Sequence, residues 1–141
     1  MESIARPRIV IAGTNSGVGK TTIVTGLLAY FHSKGYAVQP FKVGPDIDPG
    51  FHGKAAGRNS YNLDTWMTPP DRLVPTFASL SKGADISIIE GVMGLYDGGA
   101  NGSSKGTFVV GAHCTLVDFT SSTSMSSLVS TRGFGASDDA C

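Results

Sequence analysis

Apolar positions come in short blocks, and their spacing changes along the chain. The first block, Ile9-Val10-Ile11-Ala12 after Arg8, has no polar alternation. Such a run predicts a strand buried on both faces, from Arg8 to Ala12. A glycine-rich stretch follows, and then the spacing lengthens. Ile23, Leu27, Tyr30 and Phe31 fall at i, i+4, i+7 and i+8, which predicts a helix from Lys20 to Lys34 with Gly35 just past its end. Ala37 to Val43 predicts a second strand, broken by Gly44-Pro45-Asp46. Ile47 to Ser60 reads as a loop, and Asn62-Leu63-Asp64 falls in a loop too. Thr68-Pro69-Pro70-Asp71 supplies a cap, a first-turn proline and an acidic third position for a helix to about Ser81. Asp85 to Glu90 predicts a third strand. Strands alternating with helices in this way predict an α/β fold: a mostly parallel sheet with flanking helices and right-handed crossovers.

Beyond Gly98 the pattern changes. Gly, Ser and Thr dominate residues 99–141, where only Thr107 to Val110 and Thr115 to Val117 suit short strands. Thr120 to Ser130 would make a poor core helix, because Ser and Thr compete with the helix backbone. The expected organisation is therefore residues 1–98 as an ordered unit and 99–141 as an atypical tail, diverged or frame-disturbed. Three secure strands leave sheet edges exposed, so the isolated chain is expected to be marginal, to aggregate or to rely on a partner.

Composition narrows the function classes. The 141 residues amount to one ordinary domain, and 11 basic residues balance 11 acidic ones. No basic excess points to nucleic acid, and no apolar run approaches a membrane span. Cys114 and Cys141 are too few for a disulfide scaffold and lack metal-type spacing, which fits a reducing cytosol and a cytoplasmic protein. Recognition of an anion must therefore be local.

The place for it is Gly13-Thr14-Asn15-Ser16-Gly17-Val18-Gly19-Lys20-Thr21-Thr22, between the first strand and the first helix. Glycines let several backbone N–H groups face one anion, and the helix start adds the positive end of its dipole. Lys20 can reach outer phosphates, and the Thr21 hydroxyl can ligate Mg²⁺. The fold expected is thus P-loop NTPase-like. The strict pattern would put glycine six residues before Lys20, where Thr14 stands, with Gly13 one place earlier. In open α/β sheets ligands lie beyond the carboxyl ends of strands. Glu90 ends the third strand there, placed for Mg²⁺ or a water on Mg²⁺, and Lys42 stands near the end of the second, placed to neutralise phosphate charge. Asp46 and Asp48 could bind metal or orient substrate, and Asp64 and Asp97 are further loop carboxylates near the same edge. His52 lies in the expected substrate loop but has no evident partner, His32 reads as surface, and His113 lies in the tail. Phe51 and Trp66 read as packing anchors.

The segments Ala12 to Thr22, Gln39-Pro40-Phe41-Lys42-Val43-Gly44-Pro45-Asp46, Asn62-Leu63-Asp64 and Glu90-Gly91-Val92-Met93-Gly94-Leu95-Tyr96-Asp97-Gly98 resemble the cobyrinate a,c-diamide synthase family in sequence and order. The resemblance covers about Arg8 to Gly98. Dethiobiotin synthetase is similar around Gly13 to Thr21, but the later segments favour the first family. The resemblance implies ATP-dependent amidation in corrin biosynthesis. ATP would phosphorylate a side-chain carboxylate of cobyrinic acid or its hydrogenobyrinic counterpart, and ammonia from glutamine would displace the phosphate. Lys20, Lys42, Asp46, Asp48 and Asp97 would serve catalysis. Gly13, Thr14, Asn15, Ser16, Gly17, Val18, Gly19, Lys20, Thr21 and Thr22 would hold the nucleotide, and Thr21, Asp64 and Glu90 the Mg²⁺. Partners implied are the corrin precursor and either a second copy of the chain or a glutaminase domain lying beyond this chain. The family has one more residue between the aspartates matching Asp46 and Asp48, and neither Cys114 nor Cys141 matches its glutaminase nucleophile. Two other readings stand beside it: a nucleotide-binding chain that catalyses nothing, and a stand-alone ligase like dethiobiotin synthetase.

Overall fold

The computed structural model describes residues 6–44, 49–64, 67–94, 115–119 and 130–131. The elements are β1 (Arg8–Gly13), α1 (Lys20–Ser33), β2 (Val38–Val43), α2 (Pro49–Ala56), β3 (Tyr61–Leu63), α3 (Pro70–Leu80), β4 (Ile86–Glu90), β5 (Thr115–Phe119) and β6 (Ser130–Thr131). They form one sheet in the order β3-β2-β4-β1-β5-β6. Every pairing is parallel except β5 with β6. The expected α/β class with a mostly parallel sheet is what the chain adopts. Thr107 to Val110 lie outside the described residues, whereas the strand expected from Thr115 is β5, aligned beside β1 from Ile9↔Thr115 to Gly13↔Phe119.

Side chains along a strand alternate between faces, and each face buries its own apolar set. Val10, Phe41, Val43, Leu63 and Ile89 pack with Leu73 and Phe77 of α3. Ile11, Val38 and Ile88 pack with Val24 and Leu28 of α1 and Ala56 of α2. The sheet is therefore covered on both sides. β4 stands between β1 and β2, so the ends of β1, β4 and β2 line up side by side at one edge.

Four expectations need correction. The stripe of α1 that meets the sheet is Lys20, Val24 and Leu28; Ile23, Leu27 and Phe31 flank it half-buried, and Tyr30 is exposed. An apolar arc on a helix is broad, and its centre lies one residue from the line that spacing suggested. Second, the segment read as a loop holds α2, which begins at Pro49 and ends before Gly57, whose φ is +65°. Proline suits a first helical turn and glycine the left-handed residue after a helix. Third, Asn62 and Leu63 belong to β3, pinned by Asn62 Nδ2 donating to Gly44 O at 2.7 Å and Gly44 N to Leu63 O at 3.1 Å. Fourth, α3 starts at Pro70 with Pro69 in the cap position and no side-chain cap, so Thr68 does not take that role.

Candidate functional site

The turn from β1 into α1 is built on close approach. A Cβ on Gly13 would lie 2.5 Å from Val18 Cγ2 and 3.4 Å from the Lys20 stem, so only glycine lets the loop fold back over the end of β1. This accounts for a glycine at position 13 and the tolerance of Thr14 in the next place. Gly19, at φ +93°, occupies the cap of α1 and has no side chain to cap it, so the helix N-terminus opens toward the loop. Thr14, Asn15, Ser16, Gly17 and Thr22 are exposed, and Val18 is half-buried.

Lys20 is buried, and its Nζ donates to Asn15 O at 2.9 Å and Met93 O at 2.7 Å. The ammonium thus bridges the loop to the turn after β4. Met93 offers its carbonyl from a left-handed conformation, φ +51°.

Parity places the remaining polar groups. Lys42 and Glu90 are register partners at the ends of β2 and β4, on the face that carries Val38 and Ile88. Lys42 Nζ donates to Glu90 Oε1 at 2.8 Å with both side chains buried. Thr21 Oγ1, from the first turn of α1, donates to the same oxygen at 2.7 Å. The other oxygen, Oε2, lies 2.8 Å from His52 Nε2, and His52 is fully buried. That distance is an ion-pair distance, but the ring N–H is off-line, so neither atom has an aligned hydrogen bond. Burial alone would raise the Glu90 carboxyl. Contacts from His52, Lys42 and Thr21, with the Lys42 charge, outweigh it and hold the group at about 2. The direction stands on Lys42 and Thr21 even without the off-line histidine.

The structure thus brings together Thr21, Lys42 and Glu90 from three different elements, with Lys20 next to Thr21 in the first turn of α1. Asp64 follows β3, and its carbonyl accepts from Thr68 N at 2.9 Å; β3 is separated from β4 by β2. Asp46, Asp48, Asp97, Trp66, His113, Cys114 and Cys141 lie outside the described residues. His32 is exposed, as expected. Phe51 is not a packing anchor: it is 62% exposed, because it projects from the side of α2 away from the sheet-facing Ala56. Sequence reasoning missed the His52–Glu90 contact. The signal available was the i, i+4 spacing of His52 and Ala56 behind Pro49, which places both on one helix face.

The donor set suits a hard divalent cation. Thr21 Oγ1 and Glu90 Oε1 are 2.7 Å apart, near the ~3.0 Å between neighbouring ligands of an octahedron with Mg²⁺–oxygen bonds of about 2.1 Å. Among the described residues no three His, Cys, Asp or Glu side chains converge as a self-sufficient metal cage. Such an arrangement fits Mg²⁺, which keeps waters and takes phosphate oxygens as its other ligands.

A strand, a glycine-rich turn onto a helix N-terminus, and a carboxylate ending the neighbouring strand define a nucleotide-binding α/β domain. Residues 9–131 match the CobQ/CobB/MinD/ParA nucleotide binding domain, and the chain belongs to that family. Its relatives include a hydrogenobyrinate a,c-diamide synthase of Streptomyces coelicolor, 54% identical over 97 residues, or 68% of this chain and 20% of the relative. Cobyrinate a,c-diamide synthases of Archaeoglobus fulgidus and Thermoplasma volcanium are 54% and 55% identical over 72% and 65% of this chain, and 22% and 20% of their own lengths. The chain therefore spans about a fifth of the length of these relatives. No helix among the described residues is long and apolar enough to cross a membrane.

Proposed function

We propose that this chain binds Mg-ATP and supplies the nucleotide-binding part of a ligase that amidates side-chain carboxylates of a cobyrinic-acid-type corrin precursor in the cytoplasm. The observation that carries the reading is the convergence of Thr21 and Lys42 on Oε1 of Glu90 beneath the glycine-rich turn. Lys20 would exchange its two carbonyl partners for outer phosphate oxygens. Thr21 and Glu90 would hold Mg²⁺, whose charge would stabilise the phosphoryl group in transfer. Lys42, already paired with Glu90, would offset charge where phosphate and substrate carboxylate meet, and Asp46, Asp48, Asp64 and Asp97 would line that meeting place. Ammonia would come from glutamine hydrolysed by a glutaminase domain, and the partner would be either that domain or a second copy of the chain.

Mass action tests nucleotide binding. At 100-fold excess over Kd, Mg-ATP should stabilise the chain by about 2.7 kcal/mol, read as a rise in melting temperature. Lys20→Ala should abolish the rise. No shift in the parent chain would sink the nucleotide reading. Amidation of cobyrinic acid with ammonia and Mg-ATP tests the rest: nucleotide binding without product would favour a chain that binds but does not catalyse.

A further inference from the structure

The contact at Oε2 of Glu90 has no part in the function proposed above. His52 is fully buried, Nδ1 has no hydrogen-bond partner among the described residues, and Nε2 lies 2.8 Å from Glu90 Oε2. An imidazole buried with an unpartnered nitrogen costs stability that an apolar side chain of similar size would not. Packing fixes α2, and with it the His52 backbone, all the same. Ala56, one turn along α2, is buried against the α1 face of the sheet, and Ala55 is packed beside it. His32 of α1 contacts Ala55 O at 3.2 Å, and a Cβ on Gly57 would strike its ring.

The carboxylate of Glu90 has a soft terminal torsion, so its plane swings easily unless both oxygens are held. Lys42 and Thr21 both engage Oε1. Two donors on one oxygen leave the plane free to swing about that oxygen, so Lys42 and Thr21 alone do not fix the rotation. A ring nitrogen held at Oε2 does. We propose that His52 is a positioning residue that locks the rotation of the Glu90 carboxylate, keeping Oε1 beside Thr21 where a divalent cation would sit. This rests on the reading of Thr21 and Glu90 as the Mg²⁺ ligands. Nε2 is the ring atom that faces Oε2, at 2.8 Å, and Nδ1 has no hydrogen-bond partner among the described residues.

The test compares His52→Leu, which fills the space without a donor, with His52→Gln, whose amide can donate near the position of Nε2. Mn²⁺ binding in the presence of ATP, read by electron paramagnetic resonance, should weaken about 10- to 100-fold in His52→Leu, the range for residues that orient metal ligands. His52→Gln should recover most of it. ATP binding in EDTA should stay within about twofold of the parent in both, since a positioning role acts through the cation. Equal loss in both variants, parallel loss in EDTA, or no loss in either would overturn the proposal. If His52→Leu does not fold, His52→Ala replaces it in the same comparison. A second measurement needs no metal: the ¹⁵N resonance of His52 Nε2 should move in Glu90→Gln, and an unmoved resonance would also overturn the proposal. A parent chain that binds no Mn²⁺ would sink the nucleotide reading, while the ring resonance would decide the His52–Glu90 lock separately.

Discussion

The two faces of the sheet bury apolar side chains from the same strands, yet they end differently. On the α3 face, Val10, Phe41, Val43, Leu63 and Ile89 meet Leu73 and Phe77, with the Phe41 and Phe77 rings 5.0 Å apart. The polar side chains buried on that same face, Gln39 and Ser87, carry no charge. On the other face the buried set gives way near the strand ends to Lys42 and Glu90, and Thr21 and His52 reach the Glu90 carboxylate. One face contributes cohesion; the other spends part of its cohesion on a charged cluster. Burying an ion pair returns little net stability over apolar packing, but removing one partner is expensive. The same sheet thus carries a tolerant half and a half in which single changes leave uncompensated charge.

The largest effect that separates the halves should come from Phe41→Ala. Truncating a fully buried phenylalanine costs about 3–5 kcal/mol. Urea unfolding should show that loss, while the thermal rise given by Mg-ATP should persist in whatever fraction stays folded. Loss of the nucleotide effect in the folded fraction would mean that the α3 face does more than pack. Lys42→Met keeps volume and apolar stem but strands the Glu90 charge. It should cost about 3 kcal/mol at neutral pH, the lower end for breaking a buried pair. Adding Glu90→Gln should return a large part of that loss. A double variant as unstable as the sum of the two singles would show that the pair does not interact.

The unequal halves were also unequally legible. β1, α1, β2, α3 and β4 announce themselves because burial imposes a period of two or of three to four on the sequence. Chain parity then carries Lys42 and Glu90 to the same face and the same edge, so a reading of strand ends found them. α2 was hidden because Gly50 and Gly53 are poor helix formers, and the helix is held by packing of Ala56 against the sheet rather than by propensity. His52 was hidden for a related reason. Its partner is far away in sequence, and no local pattern pairs them until α2 is known to be a helix. β3 is three residues long, too short for any alternation to show.

Acid should loosen the charged half alone. Glu90 sits at about 2 in the folded chain against 4.5 as its ordinary value, so the unfolded chain binds the extra proton between those limits. The stabilisation is therefore complete above pH 4.5 and is lost as pH falls toward 2. Its full size is on the order of 3 kcal/mol. Urea titrations of the metal-free chain from pH 5 to pH 3 should show falling stability, and Glu90→Gln should flatten that slope. An unchanged slope would assign the acid sensitivity to other carboxylates.

The smallest effect concerns strain. Met93 is the one non-glycine residue with positive φ among the described residues, and it stands on the turn after β4, at the charged end of the sheet. A left-handed conformation costs an L-residue roughly 1–2 kcal/mol, while glycine adopts it freely. Its side chain is 56% exposed, so little packing is lost on removal. Glycine also enlarges the freedom of the unfolded chain, which takes back about 0.4–1 kcal/mol. Met93→Gly should therefore leave the chain equally stable or more stable by up to about 1 kcal/mol, with the Met93 carbonyl still able to meet Lys20 Nζ. A loss of more than ~1 kcal/mol would mean that the side chain, not the carbonyl, matters at this turn. The strain would then be a by-product of packing, and the difference between the two faces would reduce to the charged cluster alone.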